Sequence, residues 1–373
     1  MPTATTARPK TRKKALSPQE EALILYKDPA RQAQMAGLRY ATDQGSGLTR
    51  KTTRAGKFAY YDAHGQKISD AKTLDRIGSF VIPPAWTDVW ISPSATTHLQ
   101  VTGHDALGRK QYRYHPDWDE MRSHTKFSRL RAFGEKLEPL RQQLRQDLAR
   151  PALDHDKVVA LVITLIDQSF IRVGNKEYAK KKGRKKASYG LTTLKDGHVN
   201  VHGADVNFSF VGKKGVPHDV TVHDARLAWL VRKCKEIPGQ QLFQYYSKDG
   251  QHRTLESGDV NEYLHRHTGL ALSAKDFRTW GGTVKMAGCL EAMLRDEPNL
   301  APEKVIKKAV MEVAADLGNT PTVCSKYYIH PRVVELFKSG QLVDFLRRHN
   351  TGAAPGDLFS PIERLVMKLL SNS

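Results

Sequence analysis

Two adjacent tyrosines near the end of the chain, Tyr327 and Tyr328, follow a Gly-Asn-Thr-Pro segment at 318–321. Glycine commonly ends a helix and proline cannot continue one, so this segment is typical of a helix terminus. A phenol has an unperturbed pKa of about 10, and it attacks a phosphate only where the site stabilises the developing charge. Taken alone, both residues are more simply interpreted as ordinary half-buried tyrosines. Phosphate chemistry is indicated only if cations converge on one of them.

Three distant cations, Arg172, Lys213 and Arg278, could supply that charge. The planar guanidinium of arginine binds phosphate through two parallel hydrogen bonds and keeps its proton at physiological pH. A lysine can instead give a proton to a leaving alkoxide when its pKa is lowered. The simpler interpretations are helix-end arginines that cap or face solvent and a turn lysine that is exposed. The elements that carry these residues must therefore be considered.

Apolar periodicity predicts the elements that would position these side chains. Helical spacing indicates helices over 127–150, 158–171 and 305–317. Apolar and polar residues alternate on both sides of 211–217, which predicts a β-hairpin with Lys213 in its connection. The tyrosines, the lysine and the arginines would thus come from separate elements.

The 373 residues are enough for two domains. Residues 1–17 are rich in Thr, Ala, Pro, Lys and Arg without an apolar period, which predicts a disordered basic tail. Short strand-like segments separated by turn residues predict a small, mostly β domain over 18–118. Helical periodicity then dominates 119–373. The predicted fold class is α+β, with a mostly β N-terminal domain and a larger, mainly α-helical domain that contains a β-hairpin.

The charge balance indicates a polyanionic partner. Lys and Arg total 59 against 39 for Asp and Glu, a formal net charge of +20. Nucleic acid is the first candidate and an anionic membrane surface the second. No apolar run approaches the roughly 20 residues that span a bilayer, and the N-terminus lacks the apolar core of a signal peptide. Cys234, Cys289 and Cys324 form no disulfide framework or close metal-ligand pair, so we expect a cytoplasmic protein.

Six short motifs occur along the chain, and together they are more distinctive than any one of them. They are Gly108–Tyr114, Ile171–Asn175, Ser188–Leu194, Phe210–Lys213, Lys275–Thr279 and Gly318–Tyr328. In this order they resemble the type IB DNA topoisomerases, specifically the small branch shared by poxviruses and bacteria. The resemblance runs from about Gly37 to the C-terminal region. It implies a DNA-binding domain at 18–118, a catalytic domain at 119–373 with the fold of topoisomerases IB and tyrosine recombinases, and relaxation of supercoiled double-stranded DNA.

The resemblance also implies roles for individual residues. Arg172 and Arg278 resemble the arginines that bind the scissile phosphate, and Lys213 resembles the hairpin lysine that protonates the leaving 5′ oxygen. Tyr328 resembles the nucleophile that becomes linked to the 3′ phosphate, because its spacing from the Gly-x-Thr-Pro motif selects it over Tyr327. One phosphodiester is exchanged for another, so no ATP is expected, and the cations take the place of a metal ion as charge stabilisers.

Two features depart from the viral pattern. Asn319 stands where the viral enzymes carry a histidine and where bacterial-like members carry asparagine. An amide can donate a hydrogen bond to a non-bridging oxygen but cannot carry a positive charge, so we expect its loss to cost less than the loss of either arginine. The second feature is a basic insert at 180–186, which is either a solvated charge run or an additional phosphate contact.

In the N-terminal domain, Gln111, Tyr112 and Tyr114 match the segment through which the family contacts the major groove, and Arg109 and Lys110 precede them. Glutamine can bind an adenine edge, and tyrosines can pack on sugar or base. The alternative is an edge strand whose polar groups face outward. We favour the DNA contact because of the resemblance rather than the pattern.

Two other functions are compatible with parts of the sequence. A tyrosine recombinase uses a related set of Arg, Lys, Arg and Tyr, but usually carries a histidine where this chain has Lys275. An architectural DNA-binding protein would fit the charge but leaves the ordered motifs unexplained. The sequence contains no GxxxxGK[ST] nucleotide loop and no HExxH or paired-cysteine motif, so no cofactor and no metal are expected. We expect a monomer that binds double-stranded DNA on the nucleoid and contacts no membrane.

Overall fold

The computed structural model of the protein describes residues 28–180, 187–296, 299–349 and 356–371. The chain separates into two compact units, one that ends at Arg129 and one that begins at Leu130. The predicted basic tail at 1–17 lies outside the described residues, as does all of the basic insert except Lys180.

The N-terminal unit is built on one antiparallel sheet with the strand order β2-β1-β3-β4-β5. Its elements are α1 (Pro29–Met35), β1 (Leu48–Thr52), β2 (Phe58–Tyr61), α2 (Ala71–Ser79), β3 (Thr87–Ile91), β4 (Leu99–His104) and β5 (Lys110–Tyr114). Ile77 of α2 is buried in a core with Val89, Ile91 and Val101 from the central strands. The predicted mostly β N-terminal region is confirmed, and β5 lies at an edge of the sheet.

The second unit is mainly helical and carries two small sheets. Its elements are α3 (Pro116–Leu148, which begins in the first unit), α4 (His155–Ser169), α5 (Lys176–Ala179), β6 (Val199–His202), β7 (Asp205–Val211), β8 (Pro217–His223), α6 (Ala225–Lys235), β9 (Gln244–Tyr246), β10 (His252–Thr254), α7 (Ser257–Thr268), α8 (Ala274–Asp296), α9 (Pro302–Asp316), α10 (Pro321–Tyr328), α11 (Pro331–Lys338), α12 (Gln341–His349) and α13 (Pro361–Ser371). The predicted α+β fold class is confirmed. None of these helices, over the part of the chain that is described, has the length and apolarity needed to cross a bilayer.

Helix α4 lies at the centre of the second unit, because its residues from Val158 to Ile163 are all buried. The helix begins where Asp154 accepts a hydrogen bond from the backbone N–H of Lys157. It ends at Ser169, two residues before the end of the predicted helix, because Phe170 adopts the left-handed conformation with φ of 54°. The chain therefore turns sharply just before the first candidate arginine.

The predicted hairpin is formed by β7 and β8, and β6 adds a third antiparallel strand that the sequence did not indicate. Val206, Phe208 and Phe210 of β7 are buried, so one face of the hairpin packs into the core. The strands are joined by a tight turn in which the N–H of Gly212 donates to the carbonyl of Val216 at 2.7 Å. This turn carries Lys213 at the tip of the hairpin.

Helix α8 is the hub of the second unit, where it packs against α4, α9, α10 and α13. A buried ionic network supports it on one side: Arg141 donates to Asp167 at 2.7 Å and to Glu363 at 2.8 Å. The indole N–H of Trp280 also donates to Glu363, at 2.9 Å. Because Trp280 lies two residues after Arg278, the network fixes α8 close to a candidate site residue.

Candidate active site

Arg278 is held inside the protein by two backbone carbonyls. Its side chain is only 3% exposed on α8. One terminal nitrogen donates to the carbonyl of Phe170, and the other donates to the carbonyl of Leu317 at 2.7 Å. The left-handed backbone at Phe170 follows the end of α4, and Leu317 follows the end of α9. The guanidinium is therefore oriented by the ends of two helices.

Arg172 and Asn319 form a second fixed pair in the same region. A terminal nitrogen of Arg172 donates to Oδ1 of Asn319 at 2.7 Å. Arginine can only donate, so this bond identifies the oxygen of the amide and leaves Nδ2 on its other side. That Nδ2 is buried and has no hydrogen-bond partner in the described part of the chain. The amide therefore has an unused hydrogen-bond donor, which the predicted binding of phosphate by Asn319 requires.

The two arginines form a buried positive site that is not neutralised. Burial, followed by the positive charge of Arg172, lowers the pKa of Arg278 to about 10. Burial also lowers the pKa of Arg172. Within the described residues, neither guanidinium forms an ion pair with a carboxylate, and the Nε of Arg278 is buried without a partner. Buried charge without a counter-charge is unfavourable, so this arrangement is suited to binding an anion.

Tyr328 lies directly against this positive site. Its ring centroid is 5.1 Å from the Cζ atom of Arg278. The residue is half-buried at the last position of α10, which begins at Pro321 behind the capping side chain of Thr320. Tyr327 instead is 42% exposed, and its ring lies 5.4 Å from the Nζ atom of Lys326. Of the two tyrosines, Tyr328 is the one that the structure brings to the arginines.

Close packing between α8 and α10 sets the position of Tyr328. A Cβ atom on Gly282 would lie 2.5 Å from the carbonyl oxygen of Tyr328. The adjacent Gly281 faces the ring of Phe170, where a Cβ atom would also overlap. The hydroxyl of Thr283 accepts a hydrogen bond from the backbone N–H of His330 at 3.1 Å. The Gly281-Gly282 pair thus lets α8 approach both Phe170, which orients Arg278, and the nucleophile candidate.

Lys213 is not bonded to the other candidates. It is exposed in the hairpin turn, and among the described residues no hydrogen bond or ion pair joins it to Arg172, Arg278 or Tyr328. The hairpin approaches the site through a different residue, His218, whose pKa is lowered by burial and by the charges of Arg172 and Arg278. The sequence named the arginines, Asn319 and Tyr328 as candidates but did not single out His218.

Comparison with known proteins identifies the family. Residues 115–343 match the model described as eukaryotic DNA topoisomerase I, catalytic core, which is more than half of the chain. Residues 57–105 match the model described as bacterial DNA topoisomerase IB, N-terminal domain. The chain belongs to the type IB DNA topoisomerase family. The resemblance drawn from the six motifs is confirmed, and membership makes the protein an isomerase that acts on DNA.

Individual relatives of the topoisomerase family cover most of the chain. A DNA topoisomerase 1B of Acanthamoeba polyphaga mimivirus is 29% identical over 78% of this chain and 91% of its own length. A DNA topoisomerase 1B of vaccinia virus (strain Copenhagen) is 23% identical over 72% of this chain and 82% of its own length. A DNA topoisomerase 1 of Mycosarcoma maydis is 26% identical over 49% of this chain and 20% of its own length.

The five candidate DNA contacts of this topoisomerase lie on or just before the edge strand β5. Arg109 pairs with Asp105 at 2.6 Å, and Gln111 donates to the same carboxylate at 3.0 Å. The hydrogen bond from Arg109 lowers the pKa of Asp105 to about 2. Lys110 pairs with Asp43 at 2.5 Å. Three of the five side chains are therefore bound to carboxylates, which a DNA phosphate or base would have to replace.

The two remaining candidates, Tyr112 and Tyr114, stack on each other with centroids 5.9 Å apart and planes at 4°. Tyr112 is exposed, whereas Tyr114 is half-buried and contributes to a small core with Trp118. The ring of Tyr112 thus presents a flat apolar face to solvent, and its other face is stacked on Tyr114. An edge strand with outward groups is observed, and its use as a DNA contact stays a prediction.

Proposed function

We propose that the protein relaxes supercoiled DNA by breaking and resealing one strand, with Tyr328 as the nucleophile. The observation that carries this proposal is the position of the Tyr328 ring, 5.1 Å from the guanidinium of a buried arginine that has no carboxylate counter-charge among the described residues. A phosphodiester bound by this arginine would supply the missing negative charge. Its phosphorus would then lie next to the phenolic oxygen of Tyr328, which would attack it. The family of the chain supports the same reaction class.

The proposed chemistry consists of two transesterifications that mirror each other. The phenolic oxygen of Tyr328 bonds to phosphorus as the bond between phosphorus and the 5′ oxygen breaks. The phenol proton passes to solvent, and the ammonium of Lys213 gives a proton to the departing oxygen, so the 5′ end leaves as a hydroxyl. The DNA is then held as a 3′-phosphotyrosyl ester while the helix rotates. In the return step the 5′ hydroxyl attacks phosphorus and gives its proton to Lys213, while the bond from phosphorus to Tyr328 breaks and the phenolate regains its proton from solvent.

Arg172, Arg278 and Asn319 are proposed to bind the non-bridging oxygens. The guanidinium groups have further N–H donors beyond those used for carbonyls and the amide, and they gain from an anion because burial disfavours their charge. Asn319 adds its free Nδ2 donor. Since an amide carries no charge, Asn319→Ala should slow cleavage less than Arg278→Ala does.

We further propose that the reaction needs neither ATP nor a metal ion. Each step exchanges one phosphodiester for another of similar energy, so no external energy source is required. The charge that develops on the phosphate is met by the two arginines, which serve the purpose that a cation would otherwise serve. Supercoil relaxation then proceeds downhill, driven by the strain stored in the DNA.

The N-terminal unit is proposed to contact duplex DNA through β5, in a domain over 18–118 that precedes a catalytic domain over 119–373. Gln111, Tyr112 and Tyr114 would face the groove, while Arg109 and Lys110 exchange their carboxylates for phosphates. Because phosphate contacts release counterions, binding should weaken steeply with salt. The protein is further proposed to act on the nucleoid and to be a monomer. Light scattering of the DNA-free protein measures its molar mass and so tests the monomeric state.

The experiment that tests the function is relaxation of supercoiled plasmid in EDTA without ATP. Wild type is compared with Tyr328→Phe and with the adjacent control Tyr327→Phe. We expect relaxation by wild type and by Tyr327→Phe, and none by Tyr328→Phe. Detergent should trap a covalent adduct at the 3′-phosphate end of the broken strand only for the two active proteins.

Each other outcome contradicts a stated part of the proposal. A folded, DNA-binding wild type that never relaxes plasmid would refute the reaction itself. Relaxation by Tyr328→Phe together with its loss in Tyr327→Phe would transfer the nucleophile to the neighbouring residue. Strict dependence on added divalent metal would refute the charge-stabilising role proposed for the arginines.

A further inference from the structure

His218 occupies a fixed position at the turn end of the hairpin, between the turn that carries Lys213 and the phosphate pocket. It lies on β8 directly opposite Phe210 of β7. The two rings are stacked, with centroids 5.0 Å apart and planes at 9°. Phe210 is buried in the core of the unit, so the imidazole rests on a rigid support.

Two glycines from segments far apart in the sequence pack against the imidazole. A Cβ atom on Gly212 would lie 2.5 Å from Cδ2 of His218, and a Cβ atom on Gly318 would come closer still to Cε1. Gly212 immediately precedes Lys213, and Gly318 immediately precedes Asn319. The ring therefore fills the space between the backbone of the lysine turn and the backbone of the phosphate-binding turn.

The surroundings of the His218 ring favour its neutral form. Burial, reinforced by the charges of Arg172 and Arg278, lowers the pKa of His218. None of the hydrogen bonds or ion pairs found among the described residues involves its ring nitrogens. The contacts of the imidazole are therefore van der Waals contacts, with the ring of Phe210 and with the backbones of Gly212 and Gly318.

We propose that His218 is a positioning residue that couples the hairpin to the phosphate pocket and so aligns Lys213 with the leaving 5′ oxygen. The inference rests on the proposed function, in which Lys213 is the general acid. Without the imidazole ring, the turn at Gly212 loses the side chain through which it packs against Gly318. The lysine would then be displaced from the leaving group while the arginines and Tyr328 keep their places.

The test compares two leaving groups in single-turnover cleavage of a duplex whose cleavage site has been mapped. One substrate has the ordinary 5′ oxygen, and the other has sulfur at that bridging position. A thiolate leaves without being protonated, so a defect in proton delivery disappears with sulfur, whereas a defect in phosphate binding remains. The proteins are wild type, Lys213→Ala, His218→Ala, His218→Phe and Arg278→Ala.

With the oxygen substrate, Lys213→Ala should lose about 10²–10⁴-fold in rate. His218→Ala should lose about 10–100-fold, as expected for a catalytic group displaced by about an ångström. With the sulfur substrate, both should recover to within a few-fold of wild type, and Arg278→Ala should stay slow. His218→Phe keeps a flat ring of similar width, so it should cleave the oxygen substrate faster than His218→Ala.

The outcomes separate this inference from the proposed function. If Lys213→Ala is not rescued by sulfur, the general-acid role fails. If Lys213→Ala is rescued and His218→Ala is not, only the inference fails, and the histidine acts on the phosphate itself. If His218→Phe is as slow as His218→Ala yet both are rescued, a ring nitrogen is required and positioning by shape is overturned. Rescue also demonstrates that a variant is folded.

Discussion

Replacing Gly282 by alanine should slow DNA cleavage without unfolding the protein. The added Cβ atom would lie 2.5 Å from the carbonyl oxygen of Tyr328, whereas a relaxed carbon–oxygen contact is about 3.3 Å. The obstacle is backbone at the end of α10, which cannot rotate away as a side chain could. Helices α8 and α10 must therefore separate by roughly 0.8 Å, the difference between these distances. Arg278 lies one turn earlier on α8, so the separation moves the nucleophile away from the guanidinium.

The expected effects on rate and stability differ in size. A displacement of about 1 Å at a catalytic group can cost about 10²-fold, so we expect cleavage to fall by about 10–100-fold. Overpacking costs about 1–3 kcal/mol, while alanine gains about 1 kcal/mol over glycine in a helix. The free energy of unfolding should therefore fall by no more than about 2 kcal/mol.

The assay is single-turnover formation of the covalent DNA adduct with enzyme in excess, with DNA affinity and urea unfolding measured alongside. Gly288→Ala is the matched control, because Gly288 lies in the same helix and a Cβ atom there would meet nothing within 4 Å. It should cleave at the wild-type rate and gain up to about 1 kcal/mol of stability. Wild-type cleavage by Gly282→Ala, or an equal loss in both variants, would refute the reasoning.

Three further predictions concern the stability and reactivity of the protein. Arg141→Met leaves the carboxylates of Asp167 and Glu363 without their shared partner, so the free energy of unfolding in urea should fall by about 3–5 kcal/mol. The control Arg131→Ala breaks an exposed ion pair and should lower the free energy of unfolding by less than about 1 kcal/mol. Burial lowers the pKa of His98, so the unfolded chain binds its proton first as the pH falls below about 6.5. The urea midpoint should therefore drop between pH 7 and pH 5, and His98→Asn should reduce that drop. Burial raises the pKa of Cys234 to about 12, so iodoacetamide at pH 8 should leave this thiol unmodified until denaturant is added, as peptide mass mapping can measure.

The sequence was sufficient to predict the elements that carry the site. Alternating Val206, Phe208 and Phe210 predicted the hairpin, since a strand with one buried face must alternate. Helical spacing before Gly318 predicted α9, and the glycine has the positive φ of 55° expected just after a helix end. Both signals are local in sequence, so they could be read without knowledge of the tertiary fold.

The contacts that complete the site could not be predicted in this way. His218 meets Gly318 across a hundred residues of chain, and no pattern in either segment indicates their contact. The Gly281-Gly282 pair inside a helix was the one available signal, because glycine disfavours helices and is tolerated there mainly for close packing. What it packs against, Phe170 and the backbone of Tyr328, is set by tertiary structure alone.

The uncompensated arginine pair has a practical consequence for the choice of buffer. A pocket that holds two buried guanidinium groups without a carboxylate should accept small doubly charged oxyanions, sulfate and inorganic phosphate among them. At equal ionic strength such salts should inhibit more than chloride does, because they compete for the pocket in addition to screening charge. They should also raise the melting temperature of the DNA-free protein by mass action, which offers a small-molecule probe of the site in the absence of any nucleic acid.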